Sequence, residues 1–146
     1  MEKKDISFEQ LKADAECNLV NDGHITPILV ICTEETAYLV DATEAVKDID
    51  EMIQWIAKVA RERKAYKVFF VSEIWKHELD DQDQNKIVKS SEAYQVIEVQ
   101  QARIDMYIRD FIKEADKIKF VTDGEMTVTP EMHLFEQIQG SLDYLQ

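Results

Sequence analysis

DQDQNKIVKSSE, Asp81–Glu92, decides between two folds. It has acid or amide side chains at its first, third and fifth positions and glutamate at its twelfth, which is the ligand spacing of an EF-hand calcium loop. Asp81, Asp83, Asn85 and Glu92 would be the side-chain ligands. An EF-hand requires a helix on each side. The flanks here are YKVFFVSEIW (Tyr66–Trp75) and AYQVIEVQ (Ala93–Gln100). Both are rich in β-branched and aromatic residues, which favour strands. Lys86 occupies the sixth loop position, where the sharp turn calls for glycine. The expectation is an acidic, mobile loop from Lys76 to Glu92 joining two strands, with no calcium and no other cofactor.

Outward from that pair, the pattern alternates between helix and strand. Ser7–Asn18 predicts a helix capped by Ser7, with Phe8, Leu11 and Ala15 on one face and Asn21-Asp22-Gly23 as a turn after it. Ile25–Cys32 and Ala37–Asp41 predict two strands joined as a hairpin. Glu44–Lys64 predicts a long helix. Val46, Ile49, Ile53, Ile56 and Ala60 form its apolar stripe, and Thr43 is its candidate cap. Its acidic start and basic end (Arg61, Arg63, Lys64) complement the helix dipole, which accounts for the basic cluster without a nucleic acid.

Arg103–Ala115 fits both periods. Ile104, Met106 and Ile108 alternate as in a strand, while Ile104, Ile108, Phe111, Ile112 and Ala115 trace a helical face. The segments beyond it, Ile118–Thr122 and Met126–Val128 around Asp123-Gly124, suggest a meander and favour a strand. Thr129-Pro130 predicts the start of a last helix, with Gly140 at its end and Leu142, Tyr144 and Leu145 as an apolar tail. The expected fold is one α+β domain over residues 1–146. Its order is α-β-β-α-β-β-(β or α)-β-β-α, with a mostly antiparallel sheet and helices on one face.

The chain has 146 residues, 45% apolar and 32% charged, an ordinary globular composition. Its formal charge is −13, from 17 basic and 30 acidic residues, which disfavours nucleic acid and anionic lipid as partners. The longest apolar run, Ile28–Cys32, is far too short to span a membrane. MEKKDISFEQ does not read as a secretory leader, and Cys17 and Cys32 stand apart, so reduced thiols and a cytoplasmic location are expected.

Catalytic grammar is sparse. The three glycines, Gly23, Gly124 and Gly140, are too dispersed for a phosphate-cradling loop. Cys17, His24 and Cys32 match no common metal spacing. The densest polar and aromatic cluster is SEIWKHE, Ser72–Glu78. Glu73, Trp75, His77 and Glu78 are the candidate cleft residues, because a strand end carrying acids, an indole and a histidine suits ligand binding or proton transfer. The plainer alternative packs Trp75 on the sheet rim and leaves the acids and His77 in water.

VFFVSEIW (Val68–Trp75), the polar gap and SSEAYQVIEV (Ser90–Val99) resemble a broad group of uncharacterised bacterial and phage α+β proteins. In these a strand ends Val-Ser-Glu-Ala-Trp, and a polar loop, often with Pro-Ser, leads to an Arg- or Glu-led strand. Here Ile74 replaces the alanine, and neither the proline nor the arginine is present. The resemblance implies a small α+β fold with no assigned activity.

The leading expectation is a non-catalytic binding or assembly module that forms a homodimer or engages another protein. An acidic immunity or decoy protein covering a basic partner is the alternative. A hydrolase or lyase built on Glu73, His77 and Glu78 is the third reading.

Overall fold

In the computed structural model, the described residues are 6–44, 47–83, 85–115 and 117–142, without the side chains of 76–78 and 87–90. Helix α1, Phe8–Asp22, starts where Ser7 accepts a hydrogen bond from the Gln10 amide at 3.1 Å. It runs past Asn18 and stops at Gly23, whose φ of 78° ends the helix as L-residues rarely can. Strands β1 (Ile28–Cys32) and β2 (Ala37–Asp41) pair antiparallel, as their sequence predicts.

Helix α2, Ile49–Arg63, buries Met52, Ile53, Ile56, Ala57 and Ala60. Its cap is Asp48, which accepts from the Glu51 amide, and not Thr43. Thr43 instead donates its amide and hydroxyl to Asp41 Oδ1, in a turn that keeps the helix from starting so early. Val46, part of the expected stripe, lies outside the described residues.

Strands β3 (Lys67–Leu79), β4 (Ile87–Gln100) and β5 (Arg103–Glu114) follow as an antiparallel meander. The mobile loop expected over Lys76–Glu92 is mostly ladder: pairing continues through Glu78–Lys89 to Leu79–Ile87. Only the turn from Asp80 to Lys86 remains, closed by a bond from the Asp80 amide to the Lys86 carbonyl. β5 settles the ambiguous segment as a strand.

β6 (Lys117–Phe120) and β7 (Glu125–Thr129) both pair with β5, not with each other. Asp123-Gly124 is therefore a break within one interrupted edge strand, and not a hairpin turn. Hydrogen bonds from Tyr107 Oη to the Asp123 carbonyl (2.9 Å) and from Arg109 Nε to the Thr122 carbonyl (2.7 Å) hold that break. Thr129 ends β7 and caps no helix. A 3-10 turn, His133–Phe135, leads into α3, Glu136–Ser141, which contains Gly140. Leu142 is buried on the core of its own chain, while Tyr144 and Leu145 lie outside the described residues.

The resulting α+β fold has a seven-stranded antiparallel sheet among the described residues, ordered β2-β1-β3-β4-β5-β6, with β7 also on β5. One expectation is corrected: helices cover both faces. Leu29, Ile31, Val68, Ile97 and Ile104 pack against α2 and α3. Their alternating neighbours Val30, Phe69, Val71, Tyr94 and Phe111 pack against Leu11, Ala15 and Leu19 of α1. Both faces of the central strands are apolar because both are covered, which is why β5 also reads as helical.

Candidate functional site

Alternation along β3 puts Glu73 and Trp75 on the α1 face of the sheet. Glu73 Oε1 accepts a 2.7 Å hydrogen bond from the Ile25 amide, and its other oxygen lies 4.0 Å from Lys113 Nζ. The carboxylate thus satisfies a backbone donor where the chain enters β1. Trp75 is largely open to solvent, with a relative exposure of 62%. His77 and Glu78 stand in β3 opposite Ser90 and Lys89, and their side chains are outside the described set. The structure therefore describes two of the four candidate residues, one in a structural role and one open to solvent.

The calcium spacing is dismantled by the ladder. Asp81, Asp83 and Asn85 belong to the turn, where Asp83 Oδ1 accepts from the Asn85 amide and Asp80 Oδ1 from the Gln82 amide. These are ordinary turn bonds. Glu92 sits in β4 opposite Trp75, five residues beyond Ile87, about 16 Å along the strand. It cannot close a coordination shell over the turn. Among the described residues no group of three or more His, Cys, Asp or Glu is placed to hold a metal. Cys17, exposed, and Cys32, buried, are not joined in a disulfide.

Two polar clusters lie under the α1 face. Glu16 accepts from Tyr94 Oη and from Arg109 Nη1, both at 2.5 Å, which ties α1 to β4 and β5. Burial, and then the Glu16 carboxylate, push the Tyr94 hydroxyl far above its ordinary pKa. Nearby, Lys67 lies 3.6 Å from Glu98. Burial raises the Glu98 carboxyl above the ordinary carboxylate range; Lys67 opposes the shift and Asp105 adds to it.

On the other face, Pro27, the start of α2, strands β3–β5 and residues 132–135 line an open-sided cavity of about 290 Å³. Met52, Phe70, Ile97, Met106, Met132 and Phe135 form most of its apolar wall. Buried Ser72 and its cross-strand neighbour Gln95 supply a polar spot, with Gln95 Nε2 donating to Ser72 Oγ at 3.1 Å. No sequence motif marks this cavity, because its walls come from six separate segments. Its one legible sign is a serine and a glutamine facing each other inside apolar strands.

The sheet also forks. β4 pairs with β5 only as far as Glu92–Phe111. Beyond that point β4 continues with β3 alone and β5 with β6 alone. The outer part of the β3–β4 hairpin is thus a two-stranded arm, with Trp75 at its base and Leu79, 46% exposed, near its turn. Among the described residues no helix is long and apolar enough to cross a membrane. No protein-family model, curated protein or solved structure matches the chain.

Proposed function

We propose that the chain is a non-catalytic assembly module that pairs with a second copy of itself through the β3–β4 arm, in the cytoplasm, where its two thiols stay reduced. The observation that carries this reading is the fork. Among the described residues no strand runs along β3 beyond Val71 on one flank, or along β4 beyond Glu92 on the other. Two-stranded hairpins are marginal in water, and a free edge invites another strand. Antiparallel pairing of one arm with its copy is self-complementary, as a two-fold dimer requires. Exposed Trp75 beside that edge supplies the apolar contact. The enzymatic reading is weaker, since Glu73 is already engaged by Ile25 and Lys113.

Two copies each carrying −13 repel, so association should strengthen with salt as the repulsion is screened. Light scattering during size-exclusion chromatography at low and high salt tests the reading. A mass of two chains is expected, returning to one chain in Trp75→Ser. A one-chain mass at every salt and protein concentration rejects assembly. A dimer indifferent to Trp75→Ser rejects the arm as its interface.

A further inference from the structure

We infer that the cavity between α2 and strands β3–β5 is a binding site for a small, neutral, largely apolar molecule carrying one hydroxyl or amide group. Its size sets the first limit. An apolar cavity of about 150 Å³ accepts benzene. The cavity here, about 290 Å³, suits a molecule of roughly twice that bulk. Three methionines, Met52, Met106 and Met132, line it. Their unbranched, polarizable side chains adapt to a range of apolar shapes. Ile49 and Leu134, 48% and 46% exposed, lie on its open side.

Charge sets the second limit. The only charged residue of the described lining is Glu73, whose carboxylate is occupied on the opposite face of the sheet by the Ile25 amide. Among the described lining residues no cation is available to neutralise an anionic ligand, and the chain's −13 repels anions at a distance. A cationic ligand would find no free carboxylate among the described lining residues. The polar spot supplies the third limit. Ser72 Oγ accepts from Gln95 Nε2, which leaves the serine O–H to donate and Gln95 Oε1 to accept. That adjacent donor and acceptor match a hydroxyl, or the two ends of a primary amide. They also give an otherwise greasy pocket one fixed orientation for its ligand.

2-Naphthol, an apolar bicycle with one hydroxyl, is the probe, and methyl NMR of the protein labelled with ¹³C-methyl methionine is the readout. The Met52, Met106 and Met132 signals should move together along one saturating curve, while Met126, on edge strand β7, stays still. 2-Naphthalenesulfonate, the same bicycle with a fixed negative charge, should bind at least about tenfold more weakly. Ser72→Ala should weaken 2-naphthol about three- to tenfold and leave naphthalene unaffected. If Ser72→Ala disturbs the ligand-free methionine spectrum, Gln95→Met on the half-buried partner makes the same comparison. Non-saturating shifts, equal movement of Met126, equal affinity for the sulfonate, or 2-naphthol binding unchanged by loss of the polar pair would each overturn the inference.

Discussion

The Tyr107 hydroxyl stands where a side chain on Gly124 would begin, and it donates to the Asp123 carbonyl beside it. The tyrosine and the glycine therefore define the break in the edge strand together. Gly124 has φ of 88°, which adds backbone strain to the clash that any Cβ would meet. Gly124→Ala should destabilise the fold by roughly 2–5 kcal/mol. Combining it with Tyr107→Ala should recover the steric part, so the two changes will be strongly non-additive in chemical denaturation. Simple addition would mean that the tyrosine does not fill that space.

The buried stripe of α2 supplies a second test. Ile56 is 1% exposed and packs in the cluster with Leu29, Val68 and Ile97. Ile56→Ala should cost roughly 2–5 kcal/mol, read as a lower denaturation midpoint at unchanged slope. A midpoint that barely moves would place the stripe away from the core.

The end of the same helix can be improved. Lys64 adopts the left-handed conformation, φ 57° and ψ 48°, to let its amide reach the Ala60 carbonyl. Glycine meets that geometry without a Cβ penalty. Lys64→Gly should raise stability by about 0.5–1 kcal/mol, after allowing for the freer unfolded chain. A loss of stability would show that the lysine side chain contributes more than its backbone strain costs.

Glu98 makes stability depend on pH. Its native carboxyl titrates above the ordinary 4.5, first because it is buried. As pH climbs from that value, the unfolded chain releases the proton while the native chain still holds it. Glu98's contribution is therefore complete below 4.5 and declines as pH rises through the native pKa. The stability difference between wild type and Glu98→Gln should shift against wild type across that window. A difference that stays flat, or shifts the other way, would contradict the burial effect.

Legibility followed solvent contrast. The α2 stripe could be read because one side of the helix meets water and the other does not. β5 could not be assigned from its period alone, because Tyr107 and Phe111 are covered by one helix layer and Ile104 and Met106 by the other side's packing. The placement of α1 opposite α2 follows from which alternate residues each covers, and no local pattern encodes that choice. The outer β3–β4 arm read as a loop because it lies beyond the covered part of the sheet and lacks the apolar alternation that marks a half-buried strand. Asp-Gly signals positive φ, which serves a hairpin turn and a break in an edge strand equally well. Glu73 stands out in the sequence, yet its partner Ile25 lies far away along the chain and only the fold joins them.

The fork at Glu92–Phe111 should leave an isotopic signature along a single strand. From Ala93 to Gln100 the amides of β4 point alternately at β3 and β5, so deuterium uptake there should be uniformly slow. From Ile87 to Ser91 only the amides facing β3 have a strand partner among the described residues, and every second position should exchange quickly. Protection would thus change from continuous to alternating at Glu92. If a second copy pairs along the free flank, dilution would bring the alternation out and concentration would erase it.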